Sequence, residues 1–156
     1  TLVQIGEITS LPLLVENIRS ALARHICHQY ADAHRTIGVY VLSKELEEEI
    51  RDEFFSKEAR GGSLSQDLSG KLITGLQGVR LGSSIATQPV LMVAADLRRT
   101  LRQHLVKHGF NIPVMAYSEL VAGYVSHPLA ILRADGPSEI PDLPASLPDH
   151  DQRKAA

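Results

Sequence analysis

Tryptophan is absent from this 156-residue chain, and aromatic residues of all kinds make up only 4%. A core must therefore be aliphatic, and hydrophobic residues at 44% supply the Leu, Val, Ile and Ala to build one. A single cysteine, Cys27, excludes an internal disulfide and fits a reducing compartment. No run of about eighteen apolar residues is present, so nothing reads as a bilayer-spanning helix. Nor does a basic stretch followed by an apolar one open the chain, as a secretory leader would. The net charge of −2 argues against nucleic acid or an anionic membrane as the main partner. The glycines at Gly61-Gly62, Gly75, Gly78 and Gly82 compose neither a Walker loop nor a dinucleotide fingerprint, and no Gly-x-Ser-x-Gly occurs. Thr1 stands where a Met would be expected, and a helical pattern follows closely, so the sequence reads as cut from a longer protein.

What is there alternates between two periods. Pro12 suits the first turn of a helix, and Leu14, Ile18, Leu22, Ile26 and Tyr30 follow at four-residue steps, one stripe on a single long helix to about Asp32. Glu16 and Arg19, three apart, form a plausible pair on it. Ile37, Val39 and Val41 alternate as in a strand. Ser43 is placed to cap a helix carrying Leu46, Ile50 and Phe54 inward, with Glu45 in its first turn and a stop at Gly61-Gly62. Ser63 and Gln66 have capping-box spacing ahead of a third helix lined by Leu64, Leu68, Leu72 and Leu76. After a loop from Gly82 to Gln88, Pro89 to Val93 reads as a buried strand. A helix opening near Asp96 turns Leu97, Leu101 and Leu105 inward and closes at Gly109. Strands over Ile112–Ala116 and His127–Leu132 flank a short helix from Ser118 to Val121. From Asp135 onward, Pro137, Pro141, Pro144 and Pro148 interleave with acidic and small residues, as in a disordered or extended tail. The pattern predicts an α/β fold, a small mostly parallel or mixed four-stranded sheet layered with helices and preceded by one long amphipathic helix.

Few constellations carry chemistry. His25 and His28 flank Cys27, with His34 beyond, but a structural zinc site needs a second ligand cluster that is missing nearby. Adjacent helix positions point apart, which disfavours a Cys–His dyad. His104 and His108 have the zincin spacing without the glutamate that would serve as base, and read as packing residues. Glu45, Glu47, Glu48, Glu49, Asp52 and Glu53 make one helix acidic, with Glu47–Arg51 and Glu53–Lys57 in the favourable order. This is a solvated face, or it meets the basic helix bearing Arg98, Arg99, Arg102 and Lys107 in a neighbouring copy. Val39 to Ser43 lacks the clustered acids of a phosphoacceptor receiver. No catalytic, cofactor-binding or metal-ligating residue is assigned.

Three segments carry a resemblance. In the first, Leu14, Val15, Glu16, Ile18, Arg19, Ala21, Leu22, Arg24 and Ile26 match Leu-Val-Glu-x-Val-Arg-x-Ala-Leu-x-Arg-x-Ile. The second is Pro-Val-Leu from Pro89 followed by the Arg-rich helix. In the third, Pro113, Val114, Tyr117, Glu119 and Leu120 match Pro-Val-Leu-Ser-Tyr-x-Glu-Leu, with Met115 and Ala116 departing from it. In this order, over about residues 13 to 133, the chain resembles the C-terminal cytoplasmic part of the export-gate family of type III secretion and flagellar assembly (the FlhA/InvA/SctV, or FHIPEP, family).

The resemblance implies residues 1–34 as the terminal helix of a preceding helical subdomain and 35–133 as an α/β subdomain, and composition makes 134–156 a Pro-rich acidic disordered tail. It also implies a ring-forming, docking module without enzymatic activity, metal or cofactor. That module lies on the cytoplasmic side of the bacterial inner membrane, which it reaches only through a missing N-terminal region. Its partners are other copies of itself in a nonamer, chaperone–substrate complexes and other export-apparatus proteins. Because the helical stripe has lost its bundle partners, it is expected to be an interface. The competing expectation is a small ligand-binding or enzyme domain with a pocket at the strand ends near Asp96, Tyr117 and Glu119.

Overall fold

A computed structural model of the chain describes residues 11–56, 64–82 and 88–139. Helices α1 (Leu11–Ala21) and α2 (Ala23–Tyr30) lead into strand β1 (Thr36–Leu42), helix α3 (Lys44–Phe55) and helix α4 (Gln66–Gly82). Then come β2 (Val90–Val93), α5 (Ala95–Lys107), β3 (Val114–Ala116), a 3₁₀ turn (Tyr117–Glu119), β4 (Val125–Arg133) and β5 (Gly136–Glu139). The sheet order is β3-β2-β1-β4-β5. The first four strands are parallel and β5 is antiparallel to β4.

The sheet separates two aliphatic layers. Tyr40, Leu42, Leu91, Val93 and Val114 face α3, α4 and α5, which bring Leu46 and Ile50, Leu68, Leu72 and Leu76, and Leu97, Leu101 and Leu105. Each fully buried side chain of this kind contributes about 2 kcal/mol of transfer free energy. Ile37, Val39, Val90, Met92 and Met115 face the other way, against Ile26 and Cys27 of α2. The alternation expected for β1 is present, but both of its faces are covered, as parallel strands require.

Local signals hold at several ends. The Ser43 hydroxyl accepts from the Leu46 amide at 3.3 Å, and its neighbour Glu45 is held below the usual carboxylate range by its own backbone N–H and then by Ser43. At the end of α5, Gly109 takes φ 79°, Phe110 N–H donates to Leu105 C=O and Gly109 N–H to Val106 C=O, the paired bonds of a Schellman stop. In β4 the register slips between Val39 and Tyr40, which pair with Pro128 and Ala130. Pro128 has no N–H for the ladder, and Leu129 bulges over Gly38, where a Cβ would lie 3.0 Å from its Cδ1.

Four features depart from the sequence reading. The single long helix is two, interrupted at Leu22 (φ −96°, ψ 9°), whose N–H is shared between Ile18 and Arg19 carbonyls. Its expected pair, Glu16 with Arg19, does not form; both side chains turn to partners in the α/β body. The short helix after β3 is a single 3₁₀ turn that starts at Tyr117. Residues 136–139, assigned to a disordered tail, are extended and pair with β4, so the fold runs to Glu139 rather than ending at residue 133. Gly61-Gly62, the Ser63 cap, Lys57, the greater part of the Gly82–Gln88 loop, the first ten residues and the rest of the tail lie outside the described residues. Ser65 caps α4, accepting from Leu68 N–H at 3.3 Å, and Glu53 holds Ser65 through its amide at 2.6 Å and hydroxyl at 2.8 Å. Among the described residues no helix is long and apolar enough to cross a membrane.

Candidate functional site

The carboxyl ends of β2 and β3 meet α1 in a cleft of about 410 Å³ lined by Glu16, Asn17, Ser20, Asp96, Ser118 and Glu119. β2 delivers Asp96 at the first turn of α5, and β3 delivers Glu119 through the 3₁₀ turn. α1 crosses above and lowers Glu16 and Arg19 into the joint, because positions three apart share a helix face.

The carboxylates here already have partners. Arg19 forks onto Glu119, Nε to Oε1 at 2.7 Å and Nη2 to Oε2 at 3.2 Å. Glu119 is 5% exposed, and its Oε2 also accepts the Ala116 amide at 2.7 Å. Arg98, equally buried, donates to both oxygens of Glu16. Arg51 of α3 donates to Asp96 at 2.8 Å and to Glu47 at 3.1 Å. The hydrogen bond from Arg51 holds the Asp96 carboxyl below the ordinary range, and burial, with some help from Glu47, pushes the Tyr117 phenol up. Thus the structure brings Asp96 and Glu119 to one cleft, but Tyr117 does not line it. A carboxylate bonded to its own arginine is a poor general base at neutral pH. What this arrangement does is fasten α1: two arginine–carboxylate forks of opposite direction lock its rotation and tilt over the sheet.

The histidine groups separate in the same way. His25, His28 and His34 are exposed, whereas Cys27 is fully buried and its thiol donates to the Glu119 carbonyl at 3.2 Å. Among the described residues no group of three or more His, Cys, Asp and Glu is arranged to hold a metal. His104 is buried, shares a 2.8 Å hydrogen bond with Ser69 of α4, and lies edge-on to Phe54 and 4.5 Å from the His108 ring. Burial first, then His108 and Lys107, holds its imidazole below the usual histidine range. Ser69 escaped the sequence reading because it sits beside the leucine stripe with nothing local to mark it.

The acidic helix and the basic helix touch within one chain, through Arg51 and Asp96. Glu45, Glu48, Glu49 and Asp52 are exposed. Of the four cations set against them in a neighbouring copy, Arg98 is paired with Glu16, and Arg102 donates to the neutral acceptors Asn111 and the Phe110 carbonyl.

The ion-pair joint was missed as a joint, although each of its members stands in the three quoted segments. Glu16 and Arg19 come from the first, Arg98 from the second and Glu119 from the third. Outside the joint, α1 presents Leu11, Leu13, Val15 and Ile18 to solvent, and Leu22 at the break is exposed beside them.

A model of the FHIPEP family matches residues 1–124. The chain is 33% identical over 120 residues to the low calcium response locus protein D of Yersinia pestis, covering 74% of this chain and only 17% of that relative. It is similar in structure to a chain of the Chlamydia pneumoniae CdsV and CdsO protein complex, with TM-score 0.66, 28% identity, and coverage of 81% of this chain and 38% of that one. Nonameric EPEC SctV-C, 20% identical, has the same fold, with TM-score 0.63 over 81% of this chain and 37% of that one.

Proposed function

We propose, since this chain belongs to the FHIPEP family, that it works as the closing piece of the cytoplasmic domain of a type III export gate. In this reading α1 and α2 end a preceding helical subdomain, and the α/β body after them is a docking and ring-forming module with no catalytic step of its own. Its place is the cytoplasmic side of the bacterial inner membrane, held there by parts of the protein outside this sequence. Its partners are copies of itself, other export-apparatus proteins and chaperone–substrate complexes awaiting secretion.

One observation carries the reading. The segments by which the chain resembles the family converge on a single joint of two arginine–carboxylate pairs, and that joint turns an apolar helix face outward. An exposed apolar strip along one helix is a surface for other protein. The nonameric assembly of EPEC SctV-C and the complex of CdsV with CdsO are the kinds of contact it suits.

The test is made in the parent protein, in cells. Ile18→Asp with Leu22→Asp should leave protein levels normal while secretion of export substrates falls at least tenfold. The purified cytoplasmic domain should shift from ring to monomer or bind chaperone–substrate complexes more weakly. Normal secretion with intact rings would refute the reading.

A further inference from the structure

From the joint's arginines toward the amino ends of β2 and β3 run two adjoining hollows. One, about 210 Å³, lies against edge strand β3 and is walled by Val114, Asn111, Gln88 and the arginines Arg19, Arg98 and Arg102. The other, about 90 Å³, is apolar, walled by Leu76, Pro89, Phe110 and Ile112, and shares Gln88 and Asn111 with the first. Arg19 and Arg98 are neutralised by Glu119 and Glu16. Arg102 is steadied by two neutral acceptors, Asn111 Oδ1 at 2.7 Å and the Phe110 carbonyl at 3.4 Å, and no carboxylate among the described residues meets it. A guanidinium has five donors and two are used here, so three N–H groups are left for an anion.

The register shows what reaches it. Glu139, Ala130, Tyr40, Leu91 and Val114 stand in one row across the sheet. Four strand spacings, about 19 Å, therefore separate the end of β5 from the wall of the arginine hollow. β5 runs antiparallel, so the chain leaves it toward the end of the sheet where Pro89 and Asn111 lie. The residues that follow are rich in proline, with Pro141, Pro144 and Pro148, and an extended chain of that kind covers about 3.1 Å per residue. Asp142, at about 9 Å, falls short on this spacing. Leu147 and Asp149, at about 25 and 31 Å, do not. Their order also fits: moving from β5 toward β3, the apolar notch comes first and Arg102 second.

We infer that the segment Leu147–Asp151 of this chain docks across the amino ends of β1 to β3, with Leu147 in the apolar notch and Asp149 on Arg102. Tethering gives the segment an effective concentration on the order of millimolar, so a weak contact suffices. This inference does not depend on the export reading; a small-domain enzyme with this surface would bind its tail in the same way.

The test uses the full chain with Ser146→Cys carrying a nitroxide; Cys27 is buried and stays unlabelled under native conditions. Amide signals of Gln88, Phe110, Asn111 and Ile112 should broaden, and should still do so when the labelled chain is diluted into unlabelled chain. Arg102→Gln or Asp149→Asn should each lower the docked fraction by about threefold, the scale of one exposed ion pair. Unaffected amides overturn the inference. So does broadening that both variants leave unchanged, and so does broadening lost on dilution, which would assign the site to a second copy's tail.

Discussion

In α5, Leu97, Leu101 and Leu105 are fully buried against the sheet, whereas Leu13 and Ile18 of α1 and Leu22 just after it are about half exposed. Both helices carry aliphatic residues at helical spacing, and neither pattern looks weaker than the other in the sequence. The difference lies in what holds each one. α5 is held by burial on the inner face. α1 is held by Glu16 on Arg98 and Arg19 on Glu119, and its apolar residues point away from the body. An amphipathic pattern therefore specifies that a face will be covered, while the covering element is decided elsewhere.

The comparison breaks most visibly in the core. Leu101→Ala should lower the unfolding free energy by about 3–4 kcal/mol, read from the urea midpoint at unchanged slope, because the site is enclosed on all sides. A loss below about 1 kcal/mol would mean that α5 is not packed as described.

Next comes the joint. Glu119→Gln leaves Arg19 without its countercharge and should cost about 3 kcal/mol. Its signature is regional: amide exchange in α1 and α2 should speed up well before that of α4 or β2. Uniform acceleration would show that the ion pair supports the whole fold instead of fastening one helix.

The pH dependence sharpens the role of the inner face. Burial depresses the folded pKa of His104 below 6.5, its ordinary value. As pH falls through 6.5 the unfolded chain takes up the proton first, so the stability, fully present above that value, declines toward the lower folded value. Ser69, Phe54, His108 and Lys107 surround this imidazole, and none is an anion that would favour its charged form. His104→Leu should flatten the decline between pH 7.5 and 5.5, and an identical slope in the variant would assign it to other groups.

The smallest effect is expected on the exposed face of α1. Ile18→Ser with Leu22→Ser should change the stability of this chain by no more than about 0.5 kcal/mol. A larger loss would mean that this face packs inward in solution.

The body was legible wherever local and tertiary preferences coincide. The leucine stripes of α4 and α5, the Ser43 cap and the Gly109 stop are short-range features, and packing reinforces each of them. Strand β5 was not legible, because Gly136-Pro137 reads as a breaker. It forms because pairing with β4 uses backbone groups, and an edge strand tolerates proline. The joint was half legible. Glu16 and Arg19 looked like partners at three-residue spacing, and Asp96 and Glu119 were placed together at the strand ends. Arg19 and Glu119 are one hundred positions apart, and only folding brings them within 2.7 Å.

From the sequence alone came the aliphatic α/β architecture, the order of the first four strands along the chain and the family likeness, since these rest on periodicity and on residue types at fixed short spacings. The tertiary structure alone decided which charge met which, where the long helix broke and which apolar face stayed uncovered. The physical reason is that ion-pair choice depends on desolvation and on forked geometry in three dimensions. A buried Glu119 holds an arginine more firmly than the half-buried Glu16 on the same helix does.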